Sequence, residues 1–146
     1  MEETFDFLAK LWFLRGMQDS QSAKFSSDLI WCLRALAQNA AVQKELYPPF
    51  VLVADELILD FHDQFLTCTQ AFLDQHPQIT ALDALIDSKG GIPEFWTDEA
   101  LERSQFWSEI RELARSILVK HDLSTFAPHP STGTYVAAKT PDDSGL

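Results

Sequence analysis

Asp55, His62 and Thr69 follow one another at intervals of seven residues. In a helix that interval returns each side chain to one face. A carboxylate, an imidazole and a hydroxyl in line on an otherwise apolar face suit a hydrogen-bond network, or the polar wall of a small-molecule site between helices. Seven helical residues rise about 10 Å, so Asp55 and His62 form no direct acid–base dyad unless a carboxylate from residues 80–87 stands between them. A buried, satisfied histidine is the plainer reading of His62.

A second set lies on the same segment. Winding residues 50–75 as one helix gathers Glu56, Asp60, Asp63 and Asp74 into a strip roughly 80° wide. A solvated helix face is the plainer reading of any such strip. The missing counter-charge argues for more: Glu56 and Asp60, four residues apart, repel, where exposed helices ordinarily place Lys or Arg. A third candidate is Trp96, flanked by Glu94 and Asp98 in the loop before a helix cap. It is either a core anchor or an aromatic hot spot for an Arg-rich surface.

Other chemistries lack their residues. His62, His76, His121 and His129 show neither His-x-x-x-His nor Glu-x-x-His spacing, so no metal and no cofactor is expected. Cys32 and Cys68 have no metal-like or redox-like spacing and fall on apolar helix faces, as buried reduced thiols do. There is no Gly-x-Ser-x-Gly and no phosphate loop; Gly90-Gly91 runs into Ile-Pro instead of a helix start. No catalytic residue is assigned, and the chain is not expected to be an enzyme.

The elements that position these residues read as helices. Glu3–Arg15 carries Phe5, Leu8, Leu11 and Trp12 on one face, with Gly16 as a stop. A second helix starts at the Ser26-Ser27-Asp28 cap and runs to about Tyr47 before Pro48-Pro49, with Leu29, Leu33 and Leu36 inward and Trp31 nearer the polar side. The third, about Phe50 to Gln75, buries Leu57, Ile58, Phe61, Phe65, Cys68 and Phe72. Leu59, Leu66 and Leu73 widen the buried arc, so that only the acidic strip is exposed. A short helix spans Thr80 to about Asp87. The last runs from the Thr97-Asp98-Glu99 cap to about Lys120-His121, with Phe106, Ile110, Ala114 and Ile117 inward. The predicted fold is all-α: an irregular bundle of four long helices and one short one over residues 1–121, followed by a Pro/Ser/Thr-rich extended tail over 122–146. Within that tail only 134–138 has strand-like chemistry.

Charge then bounds the partners. The formal net charge is −11 over 146 residues. Residues 51–100 contribute Asp55, Glu56, Asp60, Asp63, Asp74, Asp83, Asp87, Glu94, Asp98 and Glu99 against Lys89 alone. Such a belt repels nucleic acid and anionic lipid and attracts basic surfaces. No apolar run reaches the roughly 20 residues of a membrane span, and the acidic first residues lack the basic region of a secretory signal. The expectation is a cytoplasmic, protein-binding inhibitor of the immunity, antitoxin or anti-defence kind, which blocks a basic nuclease or nucleic-acid-binding complex, in part as a nucleic-acid mimic. Its binding residues are expected to be Glu56, Asp60, Asp63, Asp74, Glu94, Trp96 and Asp98. An adaptor or secretion chaperone, acting as a homodimer through apolar grooves, is the alternative in the binding class. A small-molecule enzyme built on Asp55, His62 and Thr69 is the alternative outside it.

Overall fold

The computed structural model describes residues 24–135. The helix expected over Glu3–Arg15, and residues 136–138 of the strand-like stretch, lie outside them. Among the described residues the fold is all-α, with seven α-helices, one 3-10 turn and no strand. The helices are α1 Ser27–Ala37, α2 Ala40–Glu45, α3 Val53–Thr67, α4 Gln70–Gln75, α5 Pro77–Asp87, α6 Asp98–Arg103 and α7 Gln105–Lys120, with the 3-10 turn at Pro93–Phe95. Four are long (α1, α3, α5 and α7), and they pack as a bundle in which α1 contacts both α3 and α7, as does α5.

Each of the three long helices expected over 26–47, 50–75 and 97–121 is broken once, and each break has the same cause. Two residues turn extended at Gln38-Asn39 and at Cys68-Thr69, and one at Ser104, and a polar side chain then caps a new helix. Asn39 Oδ1 accepts from Val42 N at 2.9 Å to start α2, and Thr69 Oγ1 from Phe72 N at 3.1 Å to start α4. Ser104 Oγ accepts from Trp107 N at 3.2 Å to start α7. Asn, Ser and Thr compete for backbone donors in this way, each cap contributing about 1 kcal/mol. The short helix begins at Pro77, not Thr80, because proline at the first position lacks only a donor that the helix leaves unused.

The break after α1 exposes its last carbonyls to the core, where each finds a side-chain donor. Gln43, fully buried, gives Nε2 to Ala35 O and Leu36 O, both at 3.1 Å. Arg115 reaches Ala37 O at 3.2 Å, and Arg111 reaches Gln38 O at 3.0 Å and Gln43 Oε1 at 3.0 Å. Arg111 also donates to Leu101 O near the end of α6. Two cations thus sit at the negative end of α1 and satisfy its orphan acceptors.

Leu29, Leu33 and Leu36 of α1 meet Leu57 and Phe61 of α3 and Trp107, Ile110 and Ile117 of α7 in the core. Burying each contributes about 1.5–3 kcal/mol. Trp107 has no exposed surface and donates Nε1 to Phe95 O at 2.8 Å. The expectation that α3 exposes only acids is overturned: Leu59 and Leu66, assigned to its buried arc, are 53% and 67% exposed, and Leu52 at its N-cap is 60% exposed.

Candidate functional site

Asp60 and Asp63 project from α3 toward α1, which brings Asp28, Trp31 and Cys32. The residues after α7 complete the site. Beyond Asp122 the chain runs back along α1 as an extended arm, and side-chain donors from one face of α1 hold its carbonyls. Gln38 Nε2 donates to Thr125 O at 2.9 Å, Arg34 Nε to Phe126 O at 2.9 Å and Nη2 to Ala127 O at 3.1 Å. Trp31 Nε1 donates to His129 O at 2.8 Å. Positions 31, 34 and 38 share a helix face. Further on, Ser131 N bonds Leu46 O at 2.8 Å, and the Tyr135 ring stands edge-on to Tyr47 at 5.8 Å. The arm and the two helices enclose a cleft of about 480 Å³, lined by Asp28, Trp31, Asp60, Asp63, Ser131 and Tyr135 among others.

The cleft is electrostatically one-sided. Arg34 is the single Lys or Arg among its lining residues, and its guanidinium already serves the arm. Burial raises the Asp60 carboxyl above its ordinary range and repulsion from Asp63 raises it further, while the Tyr47 hydroxyl, donating at 2.6 Å, opposes both. Burial, with Asp60, Asp28 and Asp63 nearby, pushes the Cys32 thiol up to about 12. A thiol so raised stays protonated at neutral pH and is no nucleophile. Tyr47 and Tyr135 are raised as well, first by burial. Burial alone would disfavour either sign of charge; what suits the cleft to a cation is Asp28, Asp60 and Asp63 among its lining residues, with the one lining guanidinium engaged by the arm. The Trp31 and Tyr135 rings give that cation an aromatic wall.

A second depression lies along α3. Leu52, Asp55, Gly91, Pro93, Trp96 and Asp98 line a groove of about 580 Å³; next to it Asp55, Leu59, Gly91 and Trp96 line one of about 290 Å³. Trp96 is anchored here by Nε1 donation to Lys89 O at 3.0 Å, with ring contacts to Phe106 and Trp107 at 5.5 and 5.8 Å. Burial raises the Asp55 carboxyl.

The expected binding residues therefore fall on different surfaces. Asp60 and Asp63 share the first cleft; Trp96 and Asp98 share the groove with Asp55. Glu56 lies between, its carboxyl raised by burial and then by Asp60 and Asp55. Glu94 is exposed in the 3-10 turn and lines none of these depressions. Asp74 leaves the strip because α3 ends at Thr67; on α4 it accepts from Gln70 Nε2 at 2.9 Å.

The buried line of Asp55, His62 and Thr69 does not form. Thr69 is the exposed cap of α4, and the His62 side chain is 51% exposed, with Nδ1 at 3.7 Å from Asp83 Oδ1. A carboxylate from the short helix does approach His62, but as a surface pair. Sequence reasoning also missed Asp28, read only as part of a helix cap, and Tyr135, which reaches the cleft only because the arm docks. The visible signal was the donor spacing of Trp31, Arg34 and Gln38. Among the described residues no group of three His, Cys, Asp or Glu is placed to hold a metal ion, and no helix is long and apolar enough to cross a membrane. Comparison with protein-family models, with curated proteins and with solved structures gives no match for this chain.

Proposed function

We propose that this protein acts by stoichiometric binding: it is a small acidic cytoplasmic inhibitor, of the immunity, antitoxin or anti-defence kind, that neutralises a basic, nucleic-acid-handling protein. The observation that supports this reading is the convergence of Asp28, Asp60 and Asp63 on a cleft walled by Trp31 and Tyr135, with its one guanidinium engaged elsewhere. A partner's Arg or Lys entering there meets carboxylates and ring faces together. It also relieves the repulsion between Asp60 and Asp63. Long-range attraction from the acidic belt makes association fast and salt-sensitive.

The test is capture from the native source at low and high salt, followed by titration of the captured partner with wild-type and Asp60→Asn/Asp63→Asn protein. A basic partner that dissociates at high salt and binds the variant about tenfold more weakly, a loss of about 1.4 kcal/mol, supports the reading. A partner retained at high salt, or equal affinity for the variant with an unchanged melting temperature, removes it.

A further inference from the structure

Leu52, Leu59 and Leu66 repeat every seven residues along α3 and stay more than half exposed. Such a repeat forms a nearly straight ridge on a helix, about 21 Å long at 1.5 Å per residue. Asp55 and His62 stand on one flank at the same interval, and Glu56 and Asp63 on the other. Beside the Asp55 flank lie the two grooves that Leu52 and Leu59 share with Trp96. An apolar seam between charged flanks is the surface one helix offers to another.

Charge selects the occupant. α3 carries no Lys or Arg and none lines either groove, and Lys89, next in the chain to the groove residues Gly90 and Gly91, lies over the Phe95 ring at 5.1 Å. A second copy of this chain would set Asp55, Glu56 and Asp63 against carboxylates of the same kind. Residues 1–23 hold Glu2, Glu3, Asp6 and Asp19 against Lys10 and Arg15 and are also net acidic. We infer that the Leu52–Leu59–Leu66 seam is a docking site for a basic amphipathic helix of the partner, with apolar residues at heptad spacing on the leucines and Lys or Arg toward Asp55, Glu56 and Asp63. This rests on the reading that the partner is basic and adds how it is recognised: a helix along the seam, next to the cationic side chain in the cleft.

The probe is a synthetic helix of about 18 residues, five turns, with Leu at heptad positions and Lys or Arg on both flanks. It is compared by fluorescence anisotropy with a scrambled peptide of equal composition and with the ordered helix bearing Glu flanks. The ordered basic helix should bind at least tenfold tighter than the scrambled one. Leu59→Gln/Leu66→Gln, which keeps helix propensity at two exposed positions, should abolish that preference, and Asp28→Asn in the cleft should preserve it. Equal binding of ordered and scrambled basic peptides, or indifference to the leucine substitutions, overturns the seam and leaves the cleft reading standing. Equal binding of the Glu-flanked helix overturns the requirement for a basic partner in both. Self-association of the wild type that Leu59→Gln/Leu66→Gln removes would assign the seam to a second copy and overturn the proposal.

Discussion

Asp122 holds φ at 55°, in the left-handed region where a β-carbon crowds the following carbonyl. The position is imposed by the end of α7: Leu123 N bonds Leu118 O at 2.8 Å and Asp122 N bonds Val119 O at 3.2 Å. These two bonds make a Schellman motif with Asp where Gly is the usual residue. Leu123 then packs back on the core and turns the chain toward α1. A carboxylate at a helix C-terminus also opposes the helix dipole. Asp122→Gly should therefore raise unfolding stability by about 1 kcal/mol in urea titration, with an unchanged m value. Asp122→Asn, which removes the charge and keeps the β-carbon, should fall between the two. A Gly variant no more stable than wild type would mean that Asp122 makes a compensating interaction.

At the scale of elements, the breaks decide what reaches the site. Had α1 continued through Asn39, the carbonyls of Ala35, Leu36 and Gln38 would bond within the helix, and Gln43 would lose both of its acceptors and Arg111 its contact to Gln38 O. Gln43→Leu keeps the volume but leaves two buried carbonyls without that donor and takes from Arg111 one of its three acceptors, the others being Gln38 O and Leu101 O. It should cost about 3 kcal/mol by denaturant unfolding, much more than an ordinary polar-to-apolar change. A loss below about 1 kcal/mol would show the carbonyls satisfied in another way. The helices themselves were legible, because the periodicity of Leu29, Leu33 and Leu36, or of Phe106, Ile110 and Ile117, reports a buried face directly. The breaks were not. One or two extended residues leave the apolar pattern readable on both sides, and only the cap chemistry of Asn39, Thr69 and Ser104 marks the fold in the chain. The acids Asp60 and Asp63 were legible as a strip on one helix. Their cleft was not, since Asp28, Trp31 and Tyr135 come from elements brought near only by packing. Leu59 and Leu66 were misplaced for a related reason: a leucine at helical spacing reads as buried, and hydrophobicity alone does not say whether this chain covers it.

At the scale of the whole molecule, the acidic belt sets stability against binding. Asp55, Glu56 and Asp60 all have carboxyls raised in the folded state, each first by burial. A raised folded pKa means that the folded chain holds the proton more tightly than the unfolded one. Its stabilising contribution is complete below the ordinary carboxylate range near pH 4 and is lost as pH rises through the folded value. His121 acts in the opposite direction. Burial lowers it, with His76 and Lys120 adding to the effect, so its contribution is present above about pH 6.5 and is lost on acidification. Because the two trends overlap, the carboxylate part has to be read as a difference between proteins. Glu56→Gln/Asp60→Asn removes the i, i+4 repulsion and keeps an acceptor for the Tyr47 hydroxyl. At pH 7.5 and low salt it should melt above wild type, by a few tenths of a kcal/mol for each repulsion removed. The gap should close on approaching pH 4, where the wild-type carboxyls are protonated, and also in high salt, which screens them. A gap independent of pH would trace the gain to packing. In the same variant the partner affinity should fall, because the carboxylates that weaken the isolated fold are those a basic surface would neutralise; the two effects, measured together, would locate the stability that binding restores.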